Sequence, residues 1–147
     1  MSPFNPSSVL FAKHAQHVVL VHFPVALFLT GVACDTASRW ANREKLATVA
    51  GFNLIVAAFA AIPTAITGAL AWQWQLEGQE LKGVLLLHLI LSIAATIVMC
   101  AVAWLKLRKQ QGSGHVRTYM LSLEYLGLVL IMLTAHLGGY VSGVNVS

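Results

Sequence analysis

The sequence predicts an all-α integral membrane protein, a four-helix bundle threaded up-down-up-down. Three observations predict it. Hydrophobic residues make up 58% of the 147 residues and charged residues only 10%, where a soluble domain carries about 25% charged. The apolar residues fall into four stretches, each long enough for the roughly 20 residues a helical span needs. The runs are continuous and do not alternate, so a transmembrane barrel is excluded. The same composition excludes a soluble enzyme, a disordered chain and a secreted disulfide scaffold. The 2 cysteines are too few for a disulfide framework and wrongly spaced for a metal knuckle.

The first span is expected at about residues 17–36. Its start resembles a secretion signal, and Gly31-Val32-Ala33-Cys34 faintly resembles a lipoprotein cleavage site. His22 and Pro24 interrupt the apolar region, and the residue three before Cys34 is Gly where such a site has Leu, so the segment reads as a retained span. The second span is expected at about 47–72, the third at about 83–105 and the fourth at about 119–141. Pro24 and Pro63 are expected to kink their helices. No long linker, low-complexity tract or internal repeat divides the chain, so residues 1–147 read as one transmembrane domain.

Basic residues set the expected orientation. Arg39, Arg43 and Lys45 follow span one, and Lys106, Arg108, Lys109 and Arg117 follow span three. These are seven of the nine Lys and Arg. The opposite side holds Lys13 and Lys82, the latter beside Glu77 and Glu80. The positive-inside bias places the seven in the cytoplasm and both termini in the periplasm. Trp72 and Trp74 then mark the outer interface, and Trp40, Trp104 and Tyr119 the inner one. The basic loops face anionic lipid and are too short to argue for nucleic acid.

The histidines carry the functional signal. His22, His88 and His136 each lie about five to seven residues inside the outer end of a span. At the helical rise all three stand roughly 7–10 Å below the outer surface. Ionisable groups in a span are costly and mark function or mutual pairing. Small or polar residues recur at helical spacing beside each: Ala26, Thr30 and Ala33 with His22, Ser92, Ala95 and Thr96 with His88, and Gly139, Tyr140 and Gly143 with His136. Span two adds Ala57, Ala61, Thr64, Gly68 and Ala71. Such stripes allow close helix packing and leave room for a flat macrocycle. His17 is five residues before His22, roughly 140° around the helix, so the two cannot address one atom. His14 and His115 fall outside the spans.

Imidazoles on facing helices of a bundle are a common way to hold haem iron. No C-x-x-C-H occurs, so a haem here is b-type. Spans one and three are diagonal in an up-down-up-down bundle, which makes His22 and His88 the natural axial pair. His136 is the alternative: it replaces one of them, joins His17 on a second haem, or hydrogen-bonds a propionate or a quinone. The plainer reading makes the histidines helix–helix hydrogen-bonding glue, worth about 0.6–2 kcal/mol each. A copper or zinc centre at His22, His88 and His136 is a third reading, without a carboxylate or thiolate at that depth.

His17-Val18-Val19-Leu20-Val21-His22-Phe23-Pro24 resembles the H-P-x-L-V-H-F-P opening of a bacterial family of small four-span membrane proteins of unknown function. Asp35 and His88 fit the same pattern. The segment from Ala135 to Val144 resembles the family's G-G-x-L-x-x-G-V ending, and His136-Leu137-Gly138-Gly139 gives it an H-x-G-G form found in relatives linked to cytochrome c modules. Val18 stands where the family has Pro, and Asn145 where many members have a basic stretch. The resemblance implies a haem-binding redox partner in a bacterial inner membrane, with His17, His22, His88 and His136 as candidate ligands.

The expected function is therefore a b-haem electron-transfer subunit or anchor of a larger respiratory or redox complex, with one haem or two near the periplasmic face and His22, His88, His136, His17, Gly139 and Tyr140 around it. It is read as a subunit of an oxidoreductase complex more than an enzyme by itself. Its partners would be a cytochrome c, a dehydrogenase or other membrane subunits, with quinone as a further ligand at the His136–Tyr140 face. A cofactor-free structural membrane subunit is the alternative. Asp35 and Arg39, four apart, are expected to form a surface ion pair, and Cys34 and Cys100 to be small buried apolar residues. Glu124 is expected to reach headgroup water, the alternatives being a part in proton uptake or a place against a partner helix.

Overall fold

The computed structural model describes residues 13–75, 77–78, 80–108 and 114–141. They form four helices: α1 (Lys13–Ala41), α2 (Glu44–Gln75), α3 (Gly83–Leu107) and α4 (Gly114–Val141). All four are long and apolar enough to cross a membrane, over Gln16–Ala41, Glu44–Gln73, Gly83–Leu107 and Thr118–Val141. α1 and α2 run unbroken through Pro24 and Pro63. The α1–α2 connection is two residues, and Asn42 takes φ 48° there, a left-handed turn that Asn tolerates better than most residues. Two residues leave no room for a crossover, so α1 and α2 are antiparallel neighbours.

α1 packs most extensively on α2, then α3 on α4 and α2 on α3, and of these four seams that between α1 and α4 is the slightest. Small residues explain the first seam. A Cβ added at Gly31 would stand 2.7 Å from Leu54 Cγ, and Ala50, Ala57, Ala58 and Ala61 are buried. Side-chain hydrogen bonds tie the same seam, from Asn53 Nδ2 to Thr30 Oγ1 (3.1 Å) and from Thr64 Oγ1 to the Leu20 carbonyl (3.3 Å). Such bonds hold helices together where lipid is as apolar as the side chains. Phe28, fully buried, reaches from α1 to Gly127 and Val98, so α1, α3 and α4 meet in one layer.

Large apolar side chains point outward: Phe52, Phe59, Ile66, Ile97 and Met132 are all more than half exposed. This is what a bilayer solvates. Trp40, Trp104 and Tyr119 are exposed near one end of the bundle, where an interfacial aromatic belt is expected, and the Arg108 guanidinium lies 4.3 Å from the Trp104 ring. Trp72 is half-buried at the opposite end. The Trp74, Arg117, His14 and His115 side chains, and Lys109, Gly143 and Asn145, lie outside the described residues.

The burial is lopsided. Among the described residues, burial on α1 begins at Pro24, on α2 it ends at Thr64, on α3 it begins at Ala95 and on α4 it ends at Ile131. Beyond those points toward the other end, no described residue is buried. One half of the bundle is therefore a closed core of Phe28, Val32, Leu54, Met99, Val102 and Ile131 with several alanines. The other half, which carries the histidines of the spans, has no closed core among the described residues.

Candidate functional site

All four span histidines lie in the open half. Phe28, Val98 and Gly127 define a common layer. By the helical rise, His22 stands about 9 Å above it along its helix, His136 about 13 Å, His88 about 15 Å and His17 about 16 Å. The expected single depth holds for His88 and His136, and His22 sits roughly one turn nearer the closed core.

Their surroundings fall into two kinds. His17 Nδ1 lies 3.3 Å from Thr67 Oγ1. That hydroxyl donates to the Pro63 and Thr64 carbonyls, so it accepts from the ring. The His17 ring lies against Gly68, where a Cβ would come within 3.0 Å of Cε1. His88 repeats the arrangement on the second hairpin. Its Nδ1 donates to the Thr134 carbonyl at 3.1 Å, and a Cβ at Gly138 would stand 3.1 Å from its Cε1. Gly138 thus makes room for His88. Gly139 has open space where a Cβ would go. Thr134 Oγ1, beside this contact, is buried and has no hydrogen-bond partner among the described residues.

His22 and His136 are of the second kind: both are exposed. His22 Nδ1 donates to the Val18 carbonyl one turn back, at 2.6 Å. A carbonyl can only accept, so Nδ1 carries a hydrogen in both His22 and His88, and in the neutral ring Nε2 holds the lone pair. Among the described residues neither Nε2 has a hydrogen-bond partner. A backbone carbonyl on the far nitrogen is how proteins commonly orient a ligating histidine.

The faces of His22 and His136 can be followed down their helices. Eleven residues make almost three full turns, so His22 shares a face with Ala33, and His136 with Tyr125. Ala33 and Tyr125 line a shallow apolar groove of about 290 Å³ between α1 and α4, together with Leu29, Val32, Thr36 and Leu128. Thr36 Oγ1 and Tyr125 Oη are 3.0 Å apart across it. Both exposed histidines therefore stand over the continuation of the α1–α4 seam, the slightest of the four seams. His88 belongs to the α3–α4 seam instead.

Some expectations need correction. Ala26, Thr30 and Ala33 are exposed, so the small stripe below His22 is not interior. Alanines there face the groove because the interior of α1 is occupied by Pro24, Phe28, Gly31, Val32 and Asp35. Tyr140 is also exposed, at 53%. The span-two stripe of Ala57, Ala61 and Thr64 is buried as expected. Cys34 is half-buried and Cys100 exposed, so neither is a core residue. Among the described residues no group of three or more His, Cys, Asp or Glu side chains is gathered to hold a metal ion.

The closed end holds a feature the sequence did not reveal. Asp35 is bonded by Arg39, with Nη2 at 2.7 Å and Nε at 3.3 Å from Oδ2. The pair is not on the surface: Asp35 is 5% exposed. Lys106 Nζ lies 3.3 Å from Asp35 Oδ1 and 2.9 Å from Glu124 Oε1. Glu124 is wholly buried, contrary to a carboxyl reaching headgroup water, because Lys106 and Asp35 close over it from α3 and α1. Four charges from three helices make one balanced cluster.

Residues 13–146 match the model of the family described as predicted membrane protein (DUF2231). The chain belongs to this family. The match covers all four helices and supports the reading of the chain as a membrane protein. No curated protein and no solved structure matches it. The DUF2231 assignment thus fixes the molecule's class, and the chemistry of its histidine half rests on the geometry above.

Proposed function

We infer that this chain is a b-haem electron-transfer subunit of a bacterial inner-membrane redox complex. The observation that carries the reading is the unfilled histidine half: an α1–α4 seam without a closed core, overlooked by His22 and His136, with an Nε2 lone pair on His22 oriented by a backbone carbonyl. These residues fit a porphyrin in kind. Its faces are apolar, as the seam is, and its iron takes imidazole nitrogen. His22 and His136 would hold it, from neighbouring helices. The diagonal pairing of His22 with His88 is less favoured, since the His88 ring is lodged against Gly138 in another seam. Gly139 gives clearance next to the site, and Tyr140, one turn beyond His136, is exposed. Bound haem would supply one-electron storage at the iron; the protein's part is to orient His22, exclude water with apolar walls and present the site toward a partner.

Orientation by the seven basic residues puts this half at the periplasmic side, within reach of a cytochrome c or a dehydrogenase. His17 and His88 support a second, structural role on the same chain, because each already ties one hairpin through a hydrogen bond to the facing helix. The test is a reduced-minus-oxidised spectrum with a pyridine haemochrome assay on protein purified from haem-replete cells together with its partners. A b-type α band that is lost in His22→Leu and His136→Leu but kept in His17→Leu is the expected result. A featureless spectrum sinks the electron-transfer reading and leaves the structural subunit. A band lost in His88→Leu and kept in His136→Leu would restore the diagonal pair.

A further inference from the structure

The charged cluster at the closed end is unused by the haem reading, and its parts are unequal. Asp35 has two cations: Arg39 on Oδ2 and Lys106 on Oδ1. Among the described residues Glu124 is ion-paired with Lys106 alone, which it shares. Glu124 Oε2 is buried and has no hydrogen-bond partner among the described residues. An ionised carboxylate in an apolar interior is costly unless its lone pairs are satisfied, and here one oxygen has nothing to accept from. A proton is the smallest ligand that removes this cost. We propose that Glu124 is a proton-binding site in the membrane, taking a proton from outside water on the carboxylate and returning it to that water past the Lys106 and Arg39 side chains.

The surroundings allow it from each side. From α1 the groups facing Glu124 are Asp35 and Arg39, and from α3 it is Lys106. The charged residues of α2 at this end, Glu44 and Lys45, are exposed at its start. When Glu124 takes a proton, Lys106 keeps Asp35 as its partner, so no cation is stranded. The Lys106 and Arg39 side chains are 14% and 17% exposed where Glu124 is closed off, which makes them the contact between the carboxyl and outside water. Asp35, held by two cations, has no comparable reason to bind a proton.

A hydrophobic carbodiimide is a suitable probe, because it reacts with protonated carboxyls in apolar surroundings. The full chain in lipid nanodiscs is treated across a pH series, digested and read by mass. The adduct is expected on Glu124, increasing severalfold as pH falls, with Asp35 unlabelled. Lys106→Met should raise the Glu124 yield severalfold at neutral pH, and Glu124→Gln should abolish it. Infrared spectra of the wild type, taken at the two ends of the series in H₂O and D₂O, should show a protonated-carboxyl C=O band that grows as pH falls. If Glu124 stays unlabelled, or its labelling is flat across every pH at which the helices persist, and no such band appears, the cluster is a fixed ion-pair network and the proposal fails. Both readouts use the wild type, so a misfolded variant leaves the test intact. The haem spectrum is not involved, so this proposal and the electron-transfer reading stand or fall separately.

Discussion

Glycines on one helix have opposite duties in this chain, and the distinction lies in what faces each one. Gly127 receives the Phe28 ring: an added Cβ would stand 2.7 Å from Cζ and 3.1 Å from Val98 Cγ1. Phe28 is wholly buried and has nowhere to go. Gly127→Ala is therefore expected to cost about 1–3 kcal/mol by overpacking. Gly139→Ala meets open space and should gain up to about 1 kcal/mol in helix propensity. Reversible unfolding of both variants in mixed micelles reads the difference, and equal effects would contradict these contacts. A Gly139→Leu chain that folds normally but loses the haem spectrum would mean that the open space is clearance for the bound group. The residue scale is also where sequence reading reached least far. It found His22, His88 and His136 by their depth in the spans, and His17 by the family-like opening. It could not find the Asp35–Lys106–Glu124 contact, because the three residues come from different helices and no spacing relates them. Asp35 and Arg39 were visible as a pair at helical spacing, but their burial depends on α3 and α4.

At the scale of helices, most of the structure was legible. Length and continuous hydrophobicity gave four spans to within a few residues, because a bilayer imposes both on any helix that crosses it. The helices extend beyond the expected ends mainly at the basic end, where Trp40, Trp104 and the long basic side chains reach into the interface. Which helices pack closely was only half legible. The Ala and Gly stripe of α2 announced a tight seam, while the looseness of α1 against α4 left no mark in either sequence. That seam depends on few contacts, of which the Thr36–Tyr125 hydrogen bond is one. Tyr125→Phe is expected to lose about 0.6–2 kcal/mol, and Thr36→Val at least as much. The double variant should lose no more than Thr36→Val alone, since both remove the bond between the hydroxyls and Thr36→Val also removes its bond to the Val32 carbonyl. Additive losses would mean that the hydroxyls act separately.

The whole molecule is built unevenly, with a core and a charge cluster at one end and histidines without a core at the other. Packing a cofactor-sized group into the open half would bury apolar surface that the protein leaves uncovered there, so the two ends should differ in local stability. Hydrogen exchange in micelles can test this directly. Amides in residues 28–38, 50–64, 95–103 and 124–131 are expected to exchange slowest, and those in 16–23, 65–73, 83–94 and 132–141 fastest among helical residues. Haem addition should slow 16–23 and 132–141 most and leave the first set unchanged, because those two segments line the α1–α4 continuation with His22 and His136. Slowing at both ends would indicate global stabilisation by nonspecific binding. No slowing would leave the open half to be filled by another subunit's helices, and the same experiment on the chain copurified with its partners would then show the protection that haem failed to give.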